Sequence, residues 1–259
     1  WRDYILPRLG KKRIKEISHS DIDQLHSGVS AVGKVRANRV VEVIRKALNL
    51  SIRWGFIDKN PALGVRKNVE NRRERYLSEE ERDRLFSALK AEQDKPASLA
   101  IQLIALTGAR LREVLEAEWD EFDLQNGIWV KPGSRTKQRR LHRIPLSQGA
   151  IDILKSLRKS ATTRYLFPSS TGKPRSDLKR PWARIKKAAG LEGLRIHDLR
   201  HTYASILASN GTPLMIVGQQ LGHTQAQTTM RYSHLYDEPL RQASDTVQKA
   251  YSNFFASEP

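Results

Sequence analysis

Along most of the chain, apolar residues recur every three or four positions, the period of helices that pack by one face. From Lys34, the stretch KVRANRVVEVIRKALNLSIRWG sets Val40, Ile44, Ala47, Leu48 and Ile52 on one side, and Gly55 and then Asn60-Pro61 end the run. Arg36, Arg39, Arg45, Lys46 and Arg53 fall on the other side. Ahead of it, Ser20 or Asp21 is placed to cap a shorter helix whose Ile22 and Leu25 turn inward. Residues 1–70 thus predict a small helical module with a basic exterior.

The stretch VRKNVENRRERY, residues 65–76, is polar and without period, and the linker is placed at 71–76. Ser78, with Glu81 three residues on, forms a capping box that opens a new helix, so a second domain is predicted over 77–259. An apolar helix, ASLAIQLIALTG, follows, and then ARLREVLEAEW. Two short strand candidates, GIWVK and RLHRIPL, are joined through a loop containing Pro132 and Gly133. From Ser147 onward the pattern is helix and loop. The predicted fold class is mainly α with a small antiparallel β-sheet.

Composition narrows the partner. The 259 residues carry a formal charge of +18, and positions 1–76 alone hold 18 basic and 8 acidic residues. Charge this one-sided implies a polyanion, and nucleic acid fits better than a membrane because no basic amphipathic helix dominates. No apolar run reaches spanning length and no basic-then-apolar leader opens the chain, so a soluble, cytoplasmic protein is expected. The absence of cysteine excludes disulfides and thiolate chemistry. The chain opens at Trp1 rather than Met, which leaves room for a natural protein that extends further toward its N-terminus.

Two segments concentrate groups that can do chemistry. In RIHDLRHTYAS, a helix beginning near His197 places His197, Arg200, His201, Ala204 and Ala208 on one side, with Leu199, Tyr203 and Ile206 on another, core-facing side. The first side reads either as a solvated polar turn above packed alanines or as a phosphate-binding face. A metal site fits less well, since no carboxylate follows at ligand spacing and an arginine would repel the ion. In GTPLMIVGQQLGHTQAQTTMRYSHL, Thr212 is a cap candidate, Pro213 opens a helix, Gly222 stops it, and a short helix carrying Tyr232 follows. Read alone, residues 212–232 also suit a helix-turn-helix regulator, with Gln225, Gln227 and Arg231 as base contacts and no catalysis.

Four ordered segments together resemble the tyrosine recombinases, the phage integrase family. TGARLRE supplies Arg110 and Glu113, RTKQRRLHRIPL offers Lys137, HDLRH gives His197 and Arg200, and LGHTQAQTTMRY gives His223 and Tyr232. The resemblance implies a helical core-binding domain followed by a catalytic domain with a C-terminal tail helix. It also implies DNA strand cleavage and rejoining through a 3′-phosphotyrosine, in the integration or excision of a mobile element. Tyr232 would be the nucleophile, at family spacing from His223, which Tyr236 lacks. Arg110 and Arg200 would hold the nonbridging oxygens, and Lys137 would protonate the leaving oxygen. His197 would accept the tyrosine proton or hold the phosphate, His223 would donate to a nonbridging oxygen, and Glu113 and His201 would support the site. Arg36, Arg39, Lys46, Arg135, Arg139, Arg140 and Arg231 are the expected DNA-backbone contacts. The resemblance further implies double-stranded DNA as substrate, a homo-tetramer on two sites, accessory bending or directionality proteins, and no metal or other cofactor. Leu240, Ala243 and Val247, with Phe254 and Phe255, would form a tail helix that docks on a neighbouring protomer or on its own domain.

Overall fold

The structure, a computed structural model, describes residues 1–70, 73–133 and 140–251. Lys137, Arg135, Arg139, Phe254 and Phe255 therefore lie outside the described residues. The chain divides into two compact units, Trp1–Arg73 and Glu74–Pro259.

The smaller unit holds helices α1 (Leu6–Leu9), α2 (His19–Ser30) and α3 (Lys34–Arg53). Helix α2 starts earlier than its sequence suggests. Ser18 is the cap, because its hydroxyl accepts the Asp21 N–H while the Asp21 carboxylate accepts the Ser18 N–H. Ile22, Leu25 and Val29 of α2 pack with Ala37, Val41, Ile44 and Leu48 of α3. That buried stripe continues to Ser51, so Ile52, one position off it, is exposed rather than inward. A polar cluster closes one end of the pair, with His26 hydrogen-bonded to Asn38 at 3.0 Å and Asn38 donating to the Asn68 carbonyl at 2.9 Å. These bonds tie residues 68–70 onto α3.

The larger unit runs α4 (Glu79–Ala91), α5 (Lys95–Thr107) and α6 (Leu111–Leu115), then strands β1 (Phe122–Asp123), β2 (Ile128–Lys131) and β3 (His142–Pro145). Helices α7 (Gln148–Arg158), α8 (Lys179–Ala189), α9 (Ile196–Ser209), α10 (Leu214–Leu221) and α11 (Ala226–Thr229) follow. A 3₁₀ stretch, Met230–Leu235, and α12 (Asp237–Ala250) complete it. Ser78 and Glu81 form the expected capping box on α4. Helix α5 is the hub: Ala97, Ala100, Ile101, Leu103 and Ile104 are fully buried, and α4, α7 and α9 pack around it. The sheet is antiparallel in the order β1-β2-β3, with Trp129 opposite Ile144 and Lys131 opposite His142. Strand β1 is two residues long, too short for an alternating pattern to reveal it. Alternation along β2 turns Trp129 and Lys131 to the same, buried side, so the strand delivers one large apolar group and one cation to the interior.

Helix α9 buries Leu199 in the core as expected, but its other side is covered too. Arg200, Ala204 and Ala208 are buried and Ile206 is 39% exposed, because the alanine side receives α10 and the 3₁₀ stretch. Pro213, not Thr212, is the residue ahead of α10. Helix α12 exposes Leu240 and Val247 and buries none of its residues. Among the described residues no helix is long and apolar enough to cross a membrane.

Gly108 ends α5 with φ +63°, and a Cβ there would stand 2.6 Å from the Tyr203 ring and 2.8 Å from Leu221 Cδ2. Both the left-handed backbone and the close approach of α9 and α10 require glycine. Gly108→Ala is expected to lower unfolding stability by about 2 kcal/mol or more. A urea titration showing a change below about 0.5 kcal/mol would mean that the three helices can separate without cost.

Candidate active site

Arg200 lies on the second turn of α9, only 4% exposed. Its Nη1 donates to the Gly108 carbonyl at 2.7 Å and its Nη2 to the Leu221 carbonyl at 2.6 Å. Gly108 caps the C-terminus of α5 and Leu221 is the last residue of α10. Helix C-termini present unpaired carbonyls and the negative end of the dipole, so one guanidinium satisfies both. Burial, and next the charge of Arg110, pull Arg200 down to about 10, which leaves it a cation at neutral pH. Two of its five N–H donors are used by the carbonyls.

Arg110 stands at the N-terminus of α6 and is tied to Glu113 by one bond, Nη1 to Oε1 at 2.6 Å. Glu113 also accepts the Arg110 backbone N–H at 3.0 Å and the Lys131 ammonium at 2.5 Å, both on Oε2. Burial alone would push the Glu113 carboxyl up. The charge and hydrogen bond of Lys131, with the bonds from Arg110, outweigh it and hold the carboxyl at about 2. Lys131 is 3% exposed, and its Nζ lies 4.2 Å from the centre of the Trp129 ring. Burial brings it down to about 8 against the pull of Glu113, with Arg200 and Arg110 adding to the fall. Two cations, Arg110 and Lys131, therefore bond one carboxylate, and Arg200 feels its charge.

Tyr232 is 4% exposed and its ring packs with Ala204, Ala208, Val217 and Leu221. Its hydroxyl is 2.7 Å from His201 Nδ1. The structure thus sets His201, rather than His197, against the phenol; His197 stacks edge-on against His201 at 4.9 Å between centroids. Burial, then the charges of Arg231 and His197, bring His201 down to about 4, so its ring is neutral and Nδ1 accepts the phenolic proton in a hydrogen bond. Burial raises the phenol, and the charges of Arg231 and Arg200 work the other way. Gly222 ends α10 with φ +65°, which turns the chain so that His223 follows at once, its backbone N–H on the Gly218 carbonyl at 2.8 Å and its Nδ1 2.8 Å from Thr229 Oγ1. Burial, then Arg200 and Arg110, bring His223 down to about 4. With Nδ1 engaged by Thr229, the Nε2 edge of the ring is left to face a ligand.

The charge of Arg110 reaches Arg200 and His223, Glu113 bonds Arg110, and Arg200 and His201 link that group to Tyr232, so these sequence-predicted residues share one neighbourhood. His197 joins them through the charges of Arg200 and Arg110. Arg231 stands 5.9 Å from the Tyr232 ring. Lys131 and His142 are members that sequence reading missed. His142 Nε2 donates to the Gln219 carbonyl at 2.7 Å, and its ring fills the space where a Cβ on Gly222 would sit. Their signal was the strand alternation, which was read for fold and not for charge. An open groove of about 880 Å³, lined by Arg140, His142, Arg143, Gln219 and His223, adjoins the cluster. In the smaller unit Lys46 is exposed. Arg36 donates to the Tyr4 hydroxyl, and Arg39 is held between Glu42 and Glu70. The helix-turn-helix alternative meets a second helix of only four residues, continued by a 3₁₀ stretch with Tyr232 buried, so no recognition helix is presented.

The family model described as "Phage integrase family" matches residues 75–239. The integrase of Salmonella phage P22 is 27% identical over 211 residues, which cover 76% of this chain and 53% of that protein. The chain spans between half and two thirds of the length of the curated relatives at the head of the comparison. Among solved structures, the Tn1549 transposon integrase in complex with a circular intermediate DNA superposes with a TM-score of 0.77 at 17% identity, over 93% of this chain and 88% of that one. A lambda integrase tetramer bound to a Holliday junction superposes with a TM-score of 0.66 at 19% identity, over 82% of this chain and 66% of that one. At these identities the superpositions establish the fold.

The depressed histidines give the domain a defined acid response. Unfolded histidine titrates near 6.5, whereas His201 and His223 titrate near 4 in the folded site. As pH falls from 6.5, the unfolded chain takes up protons that the folded site refuses, so stability complete above 6.5 is drawn down toward pH 4. Glu113, held at about 2, starts to cost stability only once pH falls below its unfolded value of 4.5. The drop in melting temperature between pH 7 and pH 5 is therefore expected to be smaller in a His201→Gln/His223→Gln variant than in the parent. Equal drops by differential scanning calorimetry would show that these rings titrate normally.

Proposed function

This chain belongs to the phage integrase family, and from that premise we propose that it is a site-specific tyrosine recombinase that cleaves and rejoins double-stranded DNA. The single observation that carries the reading is the placement of a buried tyrosine hydroxyl on a neutral imidazole, beside one guanidinium held by two helix-end carbonyls and another held by a carboxylate.

In the proposed reaction the Tyr232 oxygen attacks the scissile phosphorus. The new bond is Oη–P, the bond that breaks is P–O5′, and the phenolic proton passes toward His201 Nδ1, 2.7 Å away. The proton that the departing 5′ oxygen needs comes from Lys137, in the segment between β2 and β3. Arg110 and Arg200 stabilise the negative charge that grows on the nonbridging oxygens, with His223 donating a further hydrogen bond and His197 beside the phosphate. The phosphotyrosine retains the energy of the broken phosphodiester, so a free 5′ hydroxyl from a partner strand can reverse the step and complete an exchange. The chemistry asks for no metal or organic cofactor.

The smaller unit supplies phosphate contacts through Arg36, Arg39 and Lys46, and the larger through Arg135, Arg139, Arg140 and Arg231. Such contacts give sequence-independent, salt-sensitive grip. Strand exchange between two sites needs four cleavages, and the chain is proposed to act as a homo-tetramer, as the lambda integrase tetramer on a Holliday junction is assembled. Exposed Leu240 and Val247 on α12 suit docking on a neighbouring protomer. Integration or excision of a mobile element in the cytoplasm, by a bacterial or phage-encoded protein with DNA-bending or directionality partners, is the setting proposed.

Two outcomes test the reading. Mixed without metal with nicked suicide duplexes from its genomic neighbourhood, the protein is expected to give an SDS-resistant adduct that disappears in Tyr232→Phe while DNA binding stays intact; an adduct that persists in Tyr232→Phe would sink the assignment. Arg110→Ala is expected to slow adduct formation by on the order of 10²-fold at nearly unchanged affinity. Parallel losses of rate and affinity would make Arg110 a backbone grip only.

A further inference from the structure

Lys131 is a charged group at the centre of the site that none of the four motif segments supplies. It lies on β2, buried at 3% exposure, with its ammonium on Glu113 Oε2 at 2.5 Å. A buried lysine paired with a buried carboxylate adds little stability over a well-packed apolar pair, because two desolvations offset the attraction. Its presence calls for another role, and the three less exposed arginine–carboxylate pairs of the same unit supply the comparison, since the more exposed Arg112–Glu116 and Arg164–Glu118 pairs meet through Oε1.

An arginine beside a carboxylate prefers the two-pronged arrangement, with two N–H groups on two oxygens. Arg75 meets Glu81 that way, at 2.7 and 2.5 Å. Arg175 meets Asp94 that way, at 3.0 and 2.6 Å. Arg184 meets Glu92 that way as well, at 3.3 and 2.5 Å. Arg110 differs: a single Nη1–Oε1 bond joins it to Glu113, and Oε2 is taken by Lys131 and by the Arg110 backbone N–H. Position explains why the lysine cannot drift away. Period-two alternation carries it inward beside Trp129, and the indole face holds the ammonium at 4.2 Å.

We propose that Lys131 is a positioning residue: by occupying Glu113 Oε2 it keeps the carboxylate from closing two-pronged on Arg110, and so leaves the outer edge of that guanidinium for a nonbridging oxygen of the scissile phosphate. The inference rests on the role proposed above for Arg110. Without Lys131, Glu113 pivots onto both nitrogens of Arg110 and competes with the phosphate. Lys131 itself stays behind the carboxylate and donates no proton to DNA, which separates it from Lys137.

The test uses the full chain and the duplex recovered by trapping, prepared with three scissile linkages: the natural phosphodiester, a methylphosphonate in each stereoisomer, and a 5′-bridging phosphorothiolate. For Lys131→Met, single-turnover cleavage of the phosphodiester is expected to fall by on the order of 10-fold at affinity within about twofold of the parent. On the methylphosphonate isomer that removes the oxygen facing Arg110, the guanidinium has no charge to neutralise, and the deficit is expected to shrink to within about threefold. Adding Glu113→Gln to Lys131→Met weakens the competing carboxylate and removes the unpaired charge, so the double variant is expected to cleave faster than Lys131→Met and to fold where the single variant fails. An unchanged rate in Lys131→Met, or an equal deficit on phosphodiester and methylphosphonate, would overturn the proposal. Restoration by the bridging sulfur, which leaves without a proton, would overturn it too by making Lys131 the proton donor. A parent protein that cleaves none of the three linkages would instead overturn the recombinase reading on which this one stands.

Discussion

The C-termini of α5 and α10 point at the same place, and Arg200 is what they share. A guanidinium taken out of water costs several kcal/mol unless its donors are met. Here they are met by carbonyls that are themselves unpaired at helix ends, so each side removes the other's penalty. The arrangement requires three helices to converge on a point with almost no room, which the absent side chain of Gly108 and the small Ala204 and Ala208 provide. It also leaves the cation without a carboxylate of its own. Carbonyl dipoles orient Arg200 without neutralising it, and the charge remains for a ligand.

The electrostatics of the rest of the cluster follow from that choice. Arg110, Arg200 and Lys131 face one carboxylate, Glu113, an excess of two positive charges in a largely buried site. Burial first, and the neighbouring positive charges second, bring His201 and His223 to about 4 and keep both imidazoles neutral. Neutral imidazoles can accept from a phenol or donate to an oxygen, whereas imidazoliums could only donate. A phosphodiester brings one negative charge and its pentavalent transition state two. In the reaction proposed, the excess would match the transition state better than the ground state, the condition for rate enhancement rather than mere binding.

Much of this was legible in the sequence because local rules fix it. The Ser78 box, the glycine stop at Gly222, the two strands and the mainly helical class follow from caps and periodicity that tertiary contacts leave in place. The motif residues Arg110, Arg200, His201, His223 and Tyr232 come together although more than 120 positions separate the first from the last. Failures arose where packing partners decide. Ile206 looks like core and Arg200 like surface until α10 covers the alanine side of α9. Ser20 looks like a cap until Asp21 pairs with Ser18. Lys131 is the instructive miss: alternation predicts that it points inward with Trp129, but nothing local says that Glu113 waits there.

The buried tyrosine and the cations stand on unlike supports. Arg200 and Arg110 start from regular helices whose ends are locked by Gly108, Leu221 and Glu113. Tyr232 rides a six-residue 3₁₀ stretch after a four-residue helix, held chiefly by the burial of its ring against α9 and α10. Hydrogen bonds in 3₁₀ segments are poorer than in α-helices, and such segments run short. In the proposed reaction the phenol leaves His201 to bond phosphorus and later returns, and such a mount suits that movement. The charges proposed to hold the phosphate need the opposite, because electrostatic stabilisation depends on dipoles and cations that do not reorganise as the reaction proceeds. The domain divides these demands by segment, with fixed charge on its helix ends and the moving atom on its least regular turn.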